Sequence, residues 1–190
     1  MSRRVVSTSL FILLVAAIAA QAQTFTVLHE FTGGTDGSGP YSTLVMDHSG
    51  NLYGIATYGA HSGCGIYPGV GCGTAFKLEH KGTGWVFYPL YGFTGSPDGA
   101  NPVGSLTIAP DGTLYGTTND GGAGGDCTDT WGRIGCGTVF HLQPPPNFCA
   151  SFLCPWTETT LYRFTGGDNG NDPWAGVVLD GAGNLYGTAY

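Results

Sequence analysis

Apolar and polar residues alternate along much of the chain with the period of two that a β-strand requires. In Gly73–Leu78 (Gly-Thr-Ala-Phe-Lys-Leu), the Thr, Phe and Leu side chains fall on one face, and Ala and Lys fall on the other. Gly137–Leu142 (Gly-Thr-Val-Phe-His-Leu) repeats this alternation. Beyond residue 22, no i, i+3, i+4, i+7 spacing predicts an amphipathic helix. Clusters of Gly, Asp, Asn and Pro separate the runs, so the pattern predicts an antiparallel all-β domain with hairpin connections.

One block of residues occurs three times. The tetrapeptide Asn51–Gly54 (Asn-Leu-Tyr-Gly) returns as Thr113–Gly116 and as Asn184–Gly187. Ten positions of a longer block are identical in all three copies, at offsets of 62 and then 71 residues. In the first copy they are Leu28, Phe31, Thr32, Gly33, Gly37, Pro40, Gly50, Leu52, Tyr53 and Gly54. The chain is therefore a repeat protein, with units predicted at about 28–89, 90–160 and 161–190, the last of them truncated.

Each complete unit is predicted to contain four strands, because four short β-rich runs recur between turn residues. The runs of the first unit are Thr43–Asp47, Asn51–Thr57, Thr74–Leu78 and Trp85–Phe93. The runs of the second unit are Ser105–Ala109, Thr113–Thr118, Thr138–Leu142 and Thr159–Phe164. A tight turn with Gly joins the first two runs of each unit, where Gly supplies the positive φ that such a turn requires.

The Leu-Tyr-Gly motif contains the residues to which we assign a structural role in each repeat. We expect the Tyr to bury its ring and to find a hydrogen-bond partner for its hydroxyl. A Gly inside a strand commonly marks a β-bulge or the close approach of another backbone, and we expect one of these at each Gly of the motif. These repeat residues are Tyr53, Gly54, Tyr115, Gly116, Tyr186 and Gly187.

A meander of about 60 residues that is repeated in tandem favours a partial β-propeller-like array of about two and a half blades. A β-sandwich and a β-solenoid are the alternatives. Thr24–Thr32 matches the last strand of a unit, two units follow, and the third stops after its Leu-Tyr-Gly hairpin. Because a closed propeller needs at least about four blades, we expect a fragment of a longer protein. Association of several copies, or an open stack, are the other possibilities.

The first 22 residues predict a secretory signal peptide. Arg3 and Arg4 precede the apolar run Leu10–Ala19, and Ala20-Gln21-Ala22 fits a small-x-small cleavage site. The run is too short for a membrane-spanning helix, so we expect no membrane span after cleavage. Residues 23–190 would then form the repeat array, and the protein would be secreted or exposed at the cell surface.

The mature chain is acidic, and this charge limits the classes of partner that it can bind. Beyond residue 22, four basic residues face thirteen acidic ones, so the formal net charge is −9. A surface with so few Lys and Arg side chains releases few counterions from a phosphate backbone and is repelled by anionic lipid. We therefore exclude nucleic acid and anionic membranes. A hydrophobic content of 42% argues for packed β structure rather than disorder, despite 34 glycines.

The six cysteines come as three near-neighbour pairs. In an exported chain an even count indicates disulfides, and we predict local bridges among the fifteen possible connectivities. A zinc site is the alternative, but the chain has no Cys-x-x-Cys motif. The predicted pairs are Cys64 with Cys72, Cys127 with Cys136, and Cys149 with Cys154.

No catalytic residue, metal or cofactor is predicted. The chain has no Gly-x-Ser-x-Gly elbow and no phosphate-binding Gly loop. Four aspartates near the Thr-Gly turns suggest either calcium binding or turn formation, and we favour turns. Glutamates are few, and the histidines occupy no repeated position. These residues are Asp36, Asp98, Asp168 and Asp172; Glu30, Glu79 and Glu158; and His29, His48, His61, His80 and His141.

Four tryptophans could stack on sugar rings in a binding groove, but packing between blades is the use that we favour. They are Trp85, Trp131, Trp156 and Trp174.

The repeated motifs resemble the GloVer repeat of secreted or cell-surface bacterial proteins, the choice-of-anchor tandem-repeat group. The resemblance rests on Leu161–Gly166 (Leu-Tyr-Arg-Phe-Thr-Gly), Asp180–Gly187 and Leu114–Thr118, and it covers 24–190. It implies a secreted, propeller-like array, with no catalytic residues to carry over. Members of that group have a C-terminal surface-sorting segment, which this sequence does not include, and this also favours a fragment.

The leading hypothesis is a non-enzymatic exported β-repeat module, acting as a surface scaffold or a weak binder of carbohydrate or protein. It is motivated by repeated turns and strands without a unique catalytic constellation. The alternative is part of a propeller-type glycoside hydrolase or lyase whose catalytic residues lie in other blades.

Overall fold

The computed structural model of the protein describes residues 24–64, 70–122, 127, 135–146 and 155–190. The predicted signal peptide lies outside these residues and stays a prediction. The described chain is all-β, with antiparallel sheets and one short 3-10 helix at Gly167–Asn169. None of its helices has the length and apolar character needed to span a membrane.

The first unit forms one four-stranded antiparallel sheet. Its strands are β1 (Val45–Met46), β2 (Leu52–Ala56), β3 (Thr74–Lys81) and β4 (Gly84–Gly92), and they pair in sequence order. All four correspond to predicted runs. The β3–β4 hairpin is longer than predicted, because Gly82 has a φ of 60° and allows the ladder to continue as far as the pair Lys81 and Gly84.

The second unit has the four predicted strands and one more. They are β5 (Ala100–Pro102), β6 (Thr107–Ile108), β7 (Leu114–Asp120), β8 (Thr138–Gln143) and β9 (Thr157–Arg163). Both β5 and β6 pair with β7, and β8 and β9 follow in order. Strand β5 was not predicted because it contains Pro102. Proline lacks the backbone N–H, but it is tolerated in an edge strand, which is the position of β5.

The third unit contributes one hairpin, formed by β10 (Val178–Leu179) and β11 (Leu185–Tyr186). Thr24–Thr32, which matches the last strand of a unit in sequence, forms no strand. A strand needs a hydrogen-bonded neighbour, and none of the described residues pairs with this segment along its length. Its Phe31 nevertheless packs against Phe76 of β3.

Aromatic rings repeat the same contact at two successive positions of the repeat. The Phe31 and Phe76 ring centroids lie 5.2 Å apart at an interplanar angle of 64°. The equivalent rings of Phe93 and Phe140 lie 4.9 Å apart, also at 64°. The main core lies between the first two sheets. Its buried members are Tyr53, Ile55, Cys72, Ala75, Phe93, Ala100, Leu106, Leu114, Phe140 and Leu142.

Backbone hydrogen bonds between units also repeat. The Asn101 N–H donates to the Cys72 carbonyl at 2.8 Å, and the Asp172 N–H donates to the Cys136 carbonyl at 3.1 Å. Asn101 and Asp172 are equivalent in the repeat, and both have a positive φ, of 55° and 46°. The repeat seen in the sequence is therefore a repeat in space. The described sheets do not close into a barrel or a propeller.

Candidate functional site

The turn of the first Leu-Tyr-Gly hairpin is organised by one carboxylate, that of Asp47. It accepts hydrogen bonds from the backbone N–H groups of Ser49 (2.8 Å) and Asn51 (2.9 Å). The Asn51 side-chain amide donates a third bond at 2.8 Å, and the Tyr53 hydroxyl donates a fourth at 3.0 Å. The hydroxyl partner that we expect for the motif Tyr is therefore an aspartate six residues earlier in the chain.

The third hairpin repeats this arrangement around Asp180. Its carboxylate accepts bonds from the N–H groups of Ala182 (2.9 Å) and Asn184 (2.8 Å). The Asn184 amide donates at 2.9 Å, and the Tyr186 hydroxyl donates at 3.1 Å. We did not identify Asp47 or Asp180 from the sequence. The available signal was an Asp four residues before Asn-Leu-Tyr in both copies.

These hydrogen bonds stabilise the ionised form of both carboxylates. Donation from Asn184 lowers the pKa of Asp180 to about 2. At Asp47, burial raises the pKa, but the bonds from Asn51 and Tyr53 outweigh burial, so the net shift is downward. Burial and the neighbouring Asp47 charge raise the pKa of the Tyr53 hydroxyl. Each carboxylate is therefore held as an anion that closes a turn.

The middle hairpin departs from this arrangement. Ala109 occupies the position of the organising aspartate, and Asp111 instead accepts a 2.9 Å bond from the Thr113 N–H. The ring of Tyr115 packs edge-on against His141 at 5.8 Å. The hairpin keeps its strands without the aspartate because Leu114 and its neighbours are buried between units.

The motif glycines serve neither of the purposes that we expected. Gly54 lies opposite Phe76 in the ladder, and a Cβ on residue 54 would lie 2.7 Å from the Phe76 ring and 2.6 Å from Leu44. Gly116 faces the Phe140 ring in the same way. The absent side chain makes room for an aromatic ring, rather than for a backbone or a bulge. The β-bulges lie instead in the outer strands, where Leu90 of β4 and Leu161 of β9 are the extra residues next to the partners of Phe76 and Phe140.

Two of the aspartates near the Thr-Gly turns, Asp36 and Asp98, bond locally, as the turn prediction expects. Asp36 accepts bonds from the backbone N–H (2.9 Å) and hydroxyl (2.6 Å) of Thr32. Asp98 accepts the same two bonds from Thr94, and a 2.8 Å bond from the Tyr91 hydroxyl. Among the residues that the structure describes, no cluster of three or more His, Cys, Asp or Glu side chains could hold a metal ion.

Two disulfides close short loops, one in each of the first two units. Cys64 is bonded to Cys72 and Cys127 to Cys136, which are two of the predicted local pairs. Cys72 and Cys136 are fully buried. The pair Cys149 and Cys154 lies outside the described residues and stays a prediction.

Of the tryptophans that the structure describes, two contact other aromatic rings and the third is exposed. Trp156 packs against the core and lies 6.2 Å from the Tyr53 ring, in keeping with packing between units. Trp85 contacts His80 at 5.2 Å within one hairpin. Trp174 is 56% exposed. Trp131 lies outside the described residues.

The third unit has three exposed aromatic residues, which we call together the aromatic end. It consists of Trp174, Tyr186 and Tyr190, which are 56%, 58% and 84% exposed. Aromatic rings in this situation can stack on sugar rings or pack against a protein partner. The sequence pointed to Trp174 through its residue type, but Tyr186 was assigned a structural role only.

Comparison with known proteins gives a family for the whole array. A family model described as the Gloeobacter/Verrucomicrobia repeat matches residues 14–190. The search of curated proteins and the search of solved structures each gave no match. The match agrees with the resemblance drawn from the repeated motifs. The chain therefore belongs to the Gloeobacter/Verrucomicrobia repeat family.

Proposed function

We propose that the protein is a non-enzymatic, exported β-repeat module that serves as a surface scaffold or as a weak binder of carbohydrate or protein. The observation that carries the proposal is the repeated interface between units, in which the Asn101 N–H donates to the Cys72 carbonyl and the Asp172 N–H donates to the Cys136 carbonyl. Copying one interface builds a surface that extends unit by unit. For the units we propose a blade-like stacking, as in an open part of a β-propeller.

The use of the acidic side chains supports a non-enzymatic role. Four carboxylates accept hydrogen bonds from residues close in sequence: Asp36, Asp47, Asp98 and Asp180. A general base or nucleophile must instead present an oxygen to the substrate. These four groups therefore belong to the turns of the fold.

Export is supported by the predicted leader and by the bridges. Disulfides persist in oxidising compartments and are rare in the cytosol. The bridges Cys64–Cys72 and Cys127–Cys136 therefore fit a protein that is secreted or held at the cell surface.

The aromatic end is the surface that we assign to binding. Trp174, Tyr186 and Tyr190 offer apolar faces with polar tips, which suit both a sugar and a protein partner. The carboxylate of Asp180, which accepts a bond from the Tyr186 hydroxyl, is occupied by its own hairpin. Recognition at this end would rest on stacking and packing, so we expect weak affinity.

A glycan array probed with residues 23–190 tests the carbohydrate part of the proposal. We expect binding that Trp174→Ala removes and that Tyr41→Ala, at an exposed ring of the first unit, leaves unchanged. No binding above background would remove carbohydrate and leave a protein partner. Both variants should be checked for unchanged thermal unfolding.

The alternative function, part of a glycoside hydrolase or lyase, has one observation in its favour. Glu158 on β9 has a pKa raised by burial and by the charge of Asp98, as a general acid requires. Its carboxylate accepts a 3.0 Å bond from the Thr160 hydroxyl. Hydrolysis or elimination of a polysaccharide by the wild type, abolished in Glu158→Gln, would favour this enzyme over the module.

A further inference from the structure

The segment that leads from the sheet of one unit to the next unit lies against the disulfide of the earlier unit. We call this segment the connecting turn. The first connecting turn is residues 93–101, after β4 and into β5, and the second is residues 164–172, after β9. Two backbone hydrogen bonds and one contact with a sulfur atom hold each turn in place.

The two hydrogen bonds lie at the ends of the first connecting turn. The Phe93 N–H donates to the Gly73 carbonyl at 3.0 Å, and the Asn101 N–H donates to the Cys72 carbonyl at 2.8 Å. Cys72 is fully buried, and Gly73 follows it directly in the chain. The position of the turn therefore depends on the position of this bridged cysteine.

The second connecting turn repeats both hydrogen bonds. The Phe164 N–H donates to the Gly137 carbonyl, and the Asp172 N–H donates to the Cys136 carbonyl, both at 3.1 Å. Cys136 is also fully buried. The two cysteine loops differ in length and in sequence, so the shared feature is the bridge itself and not the loop that it closes.

Between these hydrogen bonds, a glycine of each turn packs on the other sulfur of the bridge. A Cβ built on Gly95 would lie 2.5 Å from the Cys64 Sγ atom, and one built on Gly166 would lie 3.0 Å from the Cys127 Sγ atom. The bare glycine backbone is therefore in contact with the sulfur. Each bridge supports its connecting turn twice, through the carbonyl of one cysteine and through the sulfur of the other.

The two cysteines of the first bridge differ in their access to solvent. Cys72 is fully buried, whereas Cys64 is only partly buried, so a dithiol reductant can reach the bridge at Cys64. One thiolate of the reductant attacks the Cys64 sulfur, and the S–S bond breaks as Cys72 leaves. The second thiol of the reductant then displaces Cys64 and closes the reductant's own disulfide. The products are two protein thiols and one oxidised dithiol, and no covalent bond then fixes the sulfur under Gly95.

We propose that each bridge controls, through its redox state, the connection between two consecutive units. The oxidised bridge fixes the connecting turn, and reduction by a dithiol frees the turn while the strands of each sheet stay paired. This role goes beyond the repeat-module function, because it assigns to the bridges control over motion between units. In an oxidising compartment the array is stiff, and a reductant allows its units to move relative to one another.

Amide hydrogen exchange of the chain, before and after treatment with dithiothreitol, tests the proposal. In the oxidised chain, the N–H groups of Phe93 and Asn101 should be as protected as those of β2. After reduction they should exchange about tenfold faster than those of β2, at rates that low urea concentrations do not change, because the turn opens without unfolding of the sheet. Equal protection of the turn and β2 after reduction would overturn the proposal, because the bridge would then be a general stabiliser.

Two double variants localise the effect, since each removes one bridge and keeps the other as an internal control. Cys64→Ala with Cys72→Ala should free the first connecting turn alone, and Cys127→Ala with Cys136→Ala should free the second alone. The separations of 8 and 9 residues make the loss of loop-closure entropy nearly equal. A general loss of stability would therefore affect both turns in both variants, and that result would overturn the proposal.

A pair of glycine variants tests the sulfur contact. Gly33 occupies the position of Gly95 in the first copy of the repeat and has a similar φ, 83° against 94°, but its Cβ meets nothing within 4 Å. Both substitutions to Ala carry similar backbone strain, and Gly95→Ala also displaces the turn from the Cys64 sulfur. Gly95→Ala should therefore free the first connecting turn in the oxidised chain, whereas Gly33→Ala should leave its exchange unchanged. Equal exchange in the two variants would overturn the proposal.

Discussion

Gly54 and Phe76 face each other across adjacent strands, and the Phe76 ring fills the volume that a side chain on residue 54 would need. The pairing of Gly116 with Phe140 reproduces this relationship in the second unit. The motif glycine is therefore a packing position, and its role depends on the aromatic ring of the next strand.

This relationship predicts that the same substitution has different effects in different units. Gly54→Ala should destabilise the chain by about 1–3 kcal/mol, the usual range for overpacking a core, because its methyl group would lie within 3 Å of Phe76 and Leu44. Gly187→Ala, at the equivalent position without a ring, should destabilise the chain less, because its Cβ would lie 3.2 Å from the Val177 Cγ1 atom and would meet no ring. Urea unfolding of both variants measures the difference. Equal destabilisation would contradict the proposed role of the ring.

Acid is expected to loosen the third hairpin. Hydrogen bonds from Asn184 lower the pKa of Asp180 from its ordinary value of 3.8 to about 2 in the folded chain. Because the folded pKa lies below the unfolded one, the stabilisation is complete above about pH 4 and is lost as the pH falls towards about 2. An NMR titration of the Asp180 carboxyl group, with amide protection of 178–186, would follow both events.

The variant Asp180→Asn provides the control for that titration. It removes the titrating group, so amide protection of the hairpin should no longer change across this pH window. An Asp180 carboxyl group that titrates near 3.8 in the wild type would contradict the hydrogen-bonded arrangement.

The backbone conformation of Asn101 predicts that two substitutions at this position differ in their effect on stability. Its φ of 55° lies in the left-handed region, which Gly and Asn adopt readily and β-branched residues do not. Asn101→Val should cost at least about 1–2 kcal/mol, whereas Asn101→Gly loses only the 3.3 Å bond from the Asn101 amide to the Thr57 carbonyl. Thermal unfolding of both variants isolates the backbone strain. A Val variant as stable as the Gly variant would contradict it.

The bridge in the first unit should stabilise the chain modestly. It closes a loop with a sequence separation of only 8, for which the loop-entropy relation gives about 2.5 kcal/mol. The double variant Cys64→Ala, Cys72→Ala should lose about this much in urea unfolding. Mass mapping of disulfide-linked peptides checks the pairing independently, and a peptide linking Cys64 to Cys127 or Cys136 would contradict it.

Much of the fold could be predicted from the sequence because strand period and turn composition are local signals. Strand β3 is a clear example: the alternation of Thr74, Phe76 and Leu78 against Ala75 places its two faces correctly. Strand β5 was missed because Pro102 argues against a strand unless the edge position is known. That position is a property of the whole sheet, which no local pattern reports.

The hydrogen-bonded turns show a second limit of prediction from the sequence. The aspartates near the Thr-Gly turns were assigned to turns, but Asp47 was not among them, and its carboxylate accepts a bond from a tyrosine six residues away. Only the hairpin geometry brings these two groups together. The exposure of the aromatic end could not be predicted from the sequence either, because Tyr53 and Tyr186 have the same sequence motif and differ only in what covers them.

The cysteine bridges have a consequence for how such a protein changes over time. Each of the two observed bonds closes within a single unit, over separations of 8 and 9 residues. When a genetic event duplicates or deletes one whole unit, both thiols of its bridge are gained or lost together. The number of units can therefore grow or shrink without leaving an unmatched sulfur to cross-link with the wrong partner during oxidation.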